Sequence, residues 1–306
     1  MQTLLKRTGW VLSGLLLLAV LAVAAVYLLS AWRYNQTYSF DSAAVPVPPI
    51  TDSAAVARGR HIAVTRGCAD CHAEDYGGKI FIDDPMMGQL AGANLTSGNG
   101  GIGDDYADAD WIRALRHGVG PNGKPLAFMP AEEYTHLGDN DLGALIAYLK
   151  QLPPVDRTVP EPAPGPMARL LTVMGDGGLP TLAVEAIDHT AARSRGTAPP
   201  AQPTAAYGEY LSHSCTGCHG QDFAGGPIPG APPSWPNAAN LTPHPQGGLG
   251  TWSKADFIRA LRTQRRPDGS TIDPVMPAAM GQMTDTELKA LWKYLQTLPP
   301  KTRTTE

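Results

Sequence analysis

The longest pattern in the chain is an apolar run from Trp10 to Trp32, broken only by Ser13, Gly14 and Ser30. At about 1.5 Å per residue, roughly 20 such residues in a helix cross the ~30 Å hydrocarbon core of a bilayer. Tryptophan rings favour the two interfaces, which is where the ends of this run would fall. Lys6 and Arg7 precede it and only Arg33 closely follows, so residues 1–9 are expected in the cytoplasm and everything after the anchor, 10–32, on the far side. Ala22-Val23-Ala24 mimics a signal-peptidase site but lies inside the run, and a retained anchor is the preferred reading over a cleaved signal.

Beyond the anchor the pattern is helical. Leu142, Leu145, Ile146 and Leu149 recur at i, i+3, i+4 and i+7, as one apolar helix face requires. Leu288, Leu291 and Leu295 do the same behind Thr284-Asp-Thr-Glu287, a capping-box pattern. Asp52 or Ser53 can cap a helix running toward Arg66. Pro153 and Pro299 mark where the two apolar helices must have ended. No sustained period-2 alternation appears, so little sheet is expected.

These helices belong to an internal repeat. Cys68-Ala-Asp-Cys71-His72 returns as Cys215-Thr-Gly-Cys218-His219, and Ala93-Asn94-Leu95-Thr96 as Ala239-Asn240-Leu241-Thr242. Trp111-Ile-Arg-Ala-Leu-Arg116 returns as Phe257-Ile-Arg-Ala-Leu-Arg262, and Tyr148-Leu149 as Tyr294-Leu295, all at an offset of 146 or 147 residues. Four ordered matches at one offset predict duplicated domains over 50–154 and 204–300, joined by a Pro-rich linker, 155–203. Within the linker, Met167–Met174 can form two turns of amphipathic helix, read here as linker packed over one domain rather than as a membrane contact.

Composition narrows the function classes. The 306 residues are 43% hydrophobic and 17% charged, with 33 Gly and 29 Pro and a formal charge of −4. That balance lacks the basic footprint of a general nucleic-acid binder. Four cysteines cannot build a disulfide scaffold, but all four fall in C-x-x-C-H. This is the attachment motif for c-type haem: two thiols spaced to meet two vinyl groups, with the next imidazole aimed at the iron. Thioredoxin chemistry or half a zinc site would use the C-x-x-C but has no need of the histidine in both copies.

Each iron needs a sixth ligand, and spacing selects it. Met129 lies 57 residues after His72 and Met276 lies 57 after His219, each followed by Pro. The rival Met280 matches Glu133 in the first copy, a poor ligand for haem iron of this kind. The expected iron ligands are therefore His72, Met129, His219 and Met276, with two covalently bound haem c held by Cys68, Cys71, Cys215 and Cys218.

With these residues in place, each copy resembles a class I cytochrome c domain. The resemblance implies an all-α fold, an N-terminal transmembrane helix followed by two tandem domains. It also implies that the first and last helices of each domain cross at a Gly–aromatic contact, matched here by Gly59 with Tyr148 and Gly208 with Tyr294. The Asn-Leu-Thr segment, its Gly-rich turn and the Met-Pro resemble the cytochrome subunits of bacterial membrane-associated dehydrogenases. Asn94 and Asn240, with Arg113 and Arg259, are expected to help hold haem propionates.

The expected protein carries electrons on the periplasmic face of the bacterial inner membrane. Its donor would be a dehydrogenase or quinol-oxidising complex and its acceptor a cytochrome or terminal oxidase, and no substrate chemistry of its own is expected. A di-haem peroxidase is the enzymatic alternative, and a fixed subunit of an oxidase or dehydrogenase the structural one. The Gly98–Gly103 stretch fits G-x-G-x-x-G but lacks a preceding strand, so it reads as pocket loop rather than nucleotide site.

Overall fold

The computed structural model describes residues 2–40, 45–175, 181–229, 231 and 234–302, with side chains from residue 6 onward. Helix α1 (Gln2–Tyr34) is a single continuous helix, and the most apolar window of its Lys6–Tyr34 portion has a mean hydropathy of 2.7 and nothing of the protein covering it. It extends the expected anchor at both ends.

The first domain begins with α2 (Ser53–Thr65), and Asp52 is its cap, accepting from the amides of Ala54 and Ala55 at 3.1 and 3.0 Å. There follow α3 (Cys68–His72), a hairpin of β1 (Lys79–Asp84) and β2 (Gly88–Gly92), α4 (Asp108–His117), α5 (Ala131–Tyr134) and α6 (Asp139–Leu149). The linker contributes β3 (Ala163–Pro164), which pairs antiparallel with β2 to complete a small three-stranded sheet, then α7 (Pro166–Met174) and α8 (His189–Ala192). The second domain holds α9 (Ala205–Ser212), α10 (Thr216–His219), α11 (Lys254–Thr263) and α12 (Asp285–Leu295). The architecture is helical with this one small sheet. The apolar positions of α6 and α12 are buried, each against the first helix of its own domain.

The helix crossings are unusually close. A Cβ built at Gly59 of α2 would collide with the Ala144 carbonyl oxygen of α6 and sit 2.8 Å from Tyr148 Cβ. At Gly208 of α9 the clash is with the Ala290 carbonyl of α12, and Tyr294 Cβ is again 2.8 Å away. Each tyrosine ring is then met edge-on by another aromatic, Tyr76 on Tyr148 at 5.8 Å and Phe223 on Tyr294 at 5.9 Å. Only glycine permits such an approach of backbone to backbone.

The two domains meet through a polar network. Arg58 forks onto Asp141 at 2.9 and 2.7 Å within the first domain and reaches Glu287 of the second at 3.1 Å. Glu287 also pairs with His61 at 2.7 Å and accepts from Tyr207 at 3.2 Å, while Tyr210 donates to Asp141 at 2.7 Å. The arrangement is pseudo-symmetric. Arg58 precedes Gly59 as Tyr207 precedes Gly208, His61 matches Tyr210, and Asp141 matches Glu287 on the closing helix. Each carboxylate is buried and crosses to the other domain's first helix. Alongside, the rings of His136 and His213 stack at 3.9 Å across the same boundary.

Burial alone would raise the Glu287 pKa, but His61, the Thr284 amide and Arg58 together hold it down at about 2. A depressed carboxyl contributes stability that is complete above its unfolded value and is lost as pH falls through its folded one. Domain docking is therefore expected to weaken between about pH 4.5 and pH 2. Glu287→Gln, which takes the charged partner from His61 and leaves Arg58 on Asp141 alone, should cost on the order of 3 kcal/mol and remove that acid-sensitive component. Denaturant melts of both proteins across this pH range check it. Gly59→Ala should destabilise the first domain far more than the ~1 kcal/mol helix-propensity gain of alanine could offset, read as a lowered thermal midpoint.

Candidate haem-attachment sites

In the first domain, α2 ends at Arg66, and Gly67 in the left-handed region (φ 69°) turns the chain into α3. This short helix places Cys68, Cys71 and His72 together. The His72 Nδ1 lies 2.7 Å from the Ala93 carbonyl oxygen, just past β2. A carbonyl only accepts, so Nδ1 carries the proton and Nε2 keeps its lone pair for a metal. The second domain repeats this: His219 Nδ1 is 2.7 Å from the Ala239 carbonyl. Burial lowers the pKa of both imidazoles, against the opposing pull of those carbonyls, and keeps the rings neutral as ligation requires.

No disulfide joins the four cysteines. Burial pushes Cys68 up to about 12 and Cys215 up to about 11, with Cys71 adding to the first shift. A buried thiol with a raised pKa is a poor nucleophile, which disfavours thioredoxin-type exchange at these positions. Among the described residues no group of three or more His, Cys, Asp or Glu is placed to hold a bare metal ion.

Met129 and Met276 are half-buried, and each packs on the same apolar cluster as a cysteine of its own domain, Met129 with Cys68 and Met276 with Cys215. The clusters correspond residue by residue: Leu95, Ile102 and Tyr106 in one, Leu241, Leu249 and Trp252 in the other. Met280, the rival ligand, is 9% exposed and lies in a 3-10 turn, Ala278–Gln282, within the second core. Thioether, attachment cysteine and histidine motif therefore gather in each domain with apolar walls, a donor set that fits covalent haem. Trp111, on the first of these clusters, has a buried indole N–H with no acceptor among the described residues.

The four residues expected near propionates have partners within the protein. Both amide hydrogens of Asn94 go to backbone carbonyls, Val155 at 2.7 Å and Arg157 at 3.1 Å, and its oxygen accepts from the amide and hydroxyl of Thr96. Asn240 repeats the pattern with the Lys301 carbonyl at 2.7 Å and with Thr242. Each asparagine pegs the loop that presents the histidine's carbonyl partner to the irregular segment leaving its domain, and Asn94 has no hydrogen left for a carboxylate. Arg113 and Arg259 pair within their own helices with Asp110 at 3.1 Å and Asp256 at 2.5 Å. The Gly98–Gly103 loop packs against Val155, Arg157 and Thr158 of the same departing segment.

A pair of helix–turn–C-x-x-C-H domains, each with a carbonyl-locked histidine and a methionine packed on the same cluster as an attachment cysteine, is the architecture of a tandem c-type cytochrome. A cytochrome c family model matches residues 56–153 and 205–299, and the chain belongs to the cytochrome c family. Covalently bound haem c is the cofactor of that family. Over 286 residues the chain is 28% identical to the fructose dehydrogenase cytochrome subunit of Gluconobacter japonicus, a match covering 84% of this chain and 55% of that protein. It is 29% identical over 279 residues to the cytochrome c subunit of alcohol dehydrogenase (quinone) from Komagataeibacter europaeus, covering 82% and 58%. The gluconate 2-dehydrogenase cytochrome c subunit of Pantoea cypripedii is 27% identical, covering 82% and 61%. The chain thus spans somewhat over half the length of these relatives.

Removing a buried amide peg should cost about 1–3 kcal/mol. Asn94→Ala is expected to lower the first domain's stability in denaturant melts without moving the midpoint potential of its haem. A clear shift in potential would instead mark direct contact with a propionate.

Proposed function

We propose that this chain is the electron-transferring cytochrome subunit of a membrane-bound dehydrogenase, holding two haem c groups on the periplasmic side of the inner membrane. The observation that carries this reading is the duplicated pairing of a carbonyl-bound histidine with a methionine 57 residues on, each packed in the same way. Cys68 and Cys71 would hold one group by thioether bonds and Cys215 and Cys218 the other, with His72 and Met129, and His219 and Met276, as axial ligands. When bound, haem c supplies a one-electron iron couple.

The protein's own part is to fix that couple. The Ala93 and Ala239 carbonyls orient the imidazoles and fix their tautomer. The soft thioethers of Met129 and Met276 would favour the reduced metal and, as ligands, would exclude oxygen and peroxide from it. The docked domains keep the first methionine loop against the second attachment helix, since Glu133, four residues past Met129, lies against Gly217. A relay between two fixed sites follows from this placement without any large motion. Electrons would arrive from a dehydrogenase or quinol-oxidising partner and leave to a cytochrome or terminal oxidase. The printed roles of the three relatives support the fixed-subunit form over a free carrier.

A peroxidase needs an iron with an open position, and two matched methionines leave none. None of the named relatives is a peroxidase.

Met276→Ala should retain covalent haem at Cys215 and Cys218 while that centre turns high-spin and its potential falls. Met280→Ala should leave both centres low-spin. Near-infrared magnetic circular dichroism and a redox titration read both, and the reverse result would assign Met280 as the ligand.

A further inference from the structure

The linker helix α7 packs against the C-terminal end of α1, and its N-terminal end rests on the β1–β2 hairpin of the first domain. Its contact face is small and fully buried, Ala168 and Thr172, which lets the two helices approach closely. Tyr34 of α1 and Thr172 share a hydrogen bond of 2.6 Å, and Arg33 reaches the Thr172 carbonyl and Glu185. Arg169, the only charged residue of α7, is turned inward. It bonds Ser30 Oγ at 3.1 Å and lies over the rings of Tyr27 and Tyr34 at 4.9 and 5.9 Å.

What remains outside is wholly apolar. Met167, Leu170 and Met174 recur at i, i+3 and i+7 and are 38, 37 and 64% exposed. Met86, on the turn of the β1–β2 hairpin and 51% exposed, extends the stripe, because its carbonyl accepts from the Met167 amide at 2.9 Å. An outward helix face with no polar residue is anomalous in water.

Its height identifies what covers it. Tyr27 lies five residues before Trp32, about 7.5 Å deeper along α1. Arg169 spans Tyr27 to Tyr34, so α7 brackets the level of the Trp32 ring, itself 63% exposed. That is the depth of the headgroup–acyl boundary, into which interfacial helices sink their apolar face by about 5–10 Å.

We propose that α7 is an interfacial helix whose Met167–Leu170–Met174 face lies in the outer edge of the lipid bilayer beside the anchor. With the hairpin turn at Met86, it fixes the height and tilt at which the cytochrome domains stand on the membrane. The inference rests on α1 being a membrane anchor. It goes further, in making a segment between the two domains a second membrane contact.

The test places single nitroxides on the full chain in protein-free phosphatidylcholine–phosphatidylglycerol vesicles. The native cysteines are those of the two attachment motifs, so an added cysteine in the holoprotein is uniquely reactive. Leu170→Cys and Met174→Cys are compared with Leu21→Cys inside α1 and with Asp268→Cys on an exposed loop, each with haem absorbance verified. Collision with a water-soluble nickel chelate should be several-fold slower at 170 and 174 than at 268, and oxygen collision faster, at a depth shallower than at 21. Labels at 170 and 174 that behave like 268 while 21 reads lipid would overturn the interfacial helix and leave the anchor standing. Protection at 170 and 174 that arises only when a dehydrogenase is added would assign the stripe to that partner and likewise overturn it. A water-like label at 21 would remove the anchor and this inference together.

Discussion

In each domain a glycine of the opening helix is set directly against a backbone carbonyl of the closing helix, and the remaining geometry depends on it. Gly59 locks α2 to α6 and Gly208 locks α9 to α12. The opening helices lead directly into the C-x-x-C-H segments, so the crossing fixes where the attachment cysteines and histidines begin. The closing helices carry Asp141 and Glu287 three residues before the contacted alanines, so the same crossing aims both carboxylates at the domain boundary. One steric constraint thus sets the two attachment sites and the joint between them.

That joint explains why the repeat is imperfect where it is. The cysteine–histidine motifs and the Gly–Tyr crossings keep their identity between copies, whereas matched positions at the boundary diverge, which a copy cannot avoid when it faces its twin. Arg58 and His61 are basic where Tyr207 and Tyr210 are phenolic, and the carboxylates opposite need donors of both kinds. His136 and His213, without repeated partners in sequence, find each other across the interface. His117 and His189 do so between the first domain and the linker, at 2.9 Å, with Phe40 stacked on both.

The features legible in the residue pattern alone are those whose chemistry is covalent or periodic. They include the cysteine motifs, the 57-residue spacing, the Asp52 and Thr284 caps, the apolar faces of α6 and α12, and the anchor. Asparagine is harder, because an amide serves a carboxylate or a backbone carbonyl equally well and only tertiary placement decides. Asn94 and Asn240 tie loop to departing segment. The linker is harder still. MARLLTVM encodes an amphipathic helix, but its partner, α1, lies more than 130 residues earlier and nothing local points to it. The β1–β2 hairpin is likewise unannounced, since Lys79–Asp84 shows no clean alternation and is completed by a strand from the linker.

The resulting picture is of a rigid unit rather than two beads on a string. The anchor is strapped to the linker, the linker to the first domain, and the first domain to the second through buried charge. Such a unit suits electron transfer between fixed points, where distance rather than diffusion sets the rate. Everything in it presupposes two covalent haems, one per C-x-x-C-H. Intact-protein mass spectrometry of the denatured chain, purified from a host that matures c-type cytochromes, reads this directly. The account predicts a mass increment of two haem groups that survives acid–acetone extraction. A chain carrying one or none would contradict it.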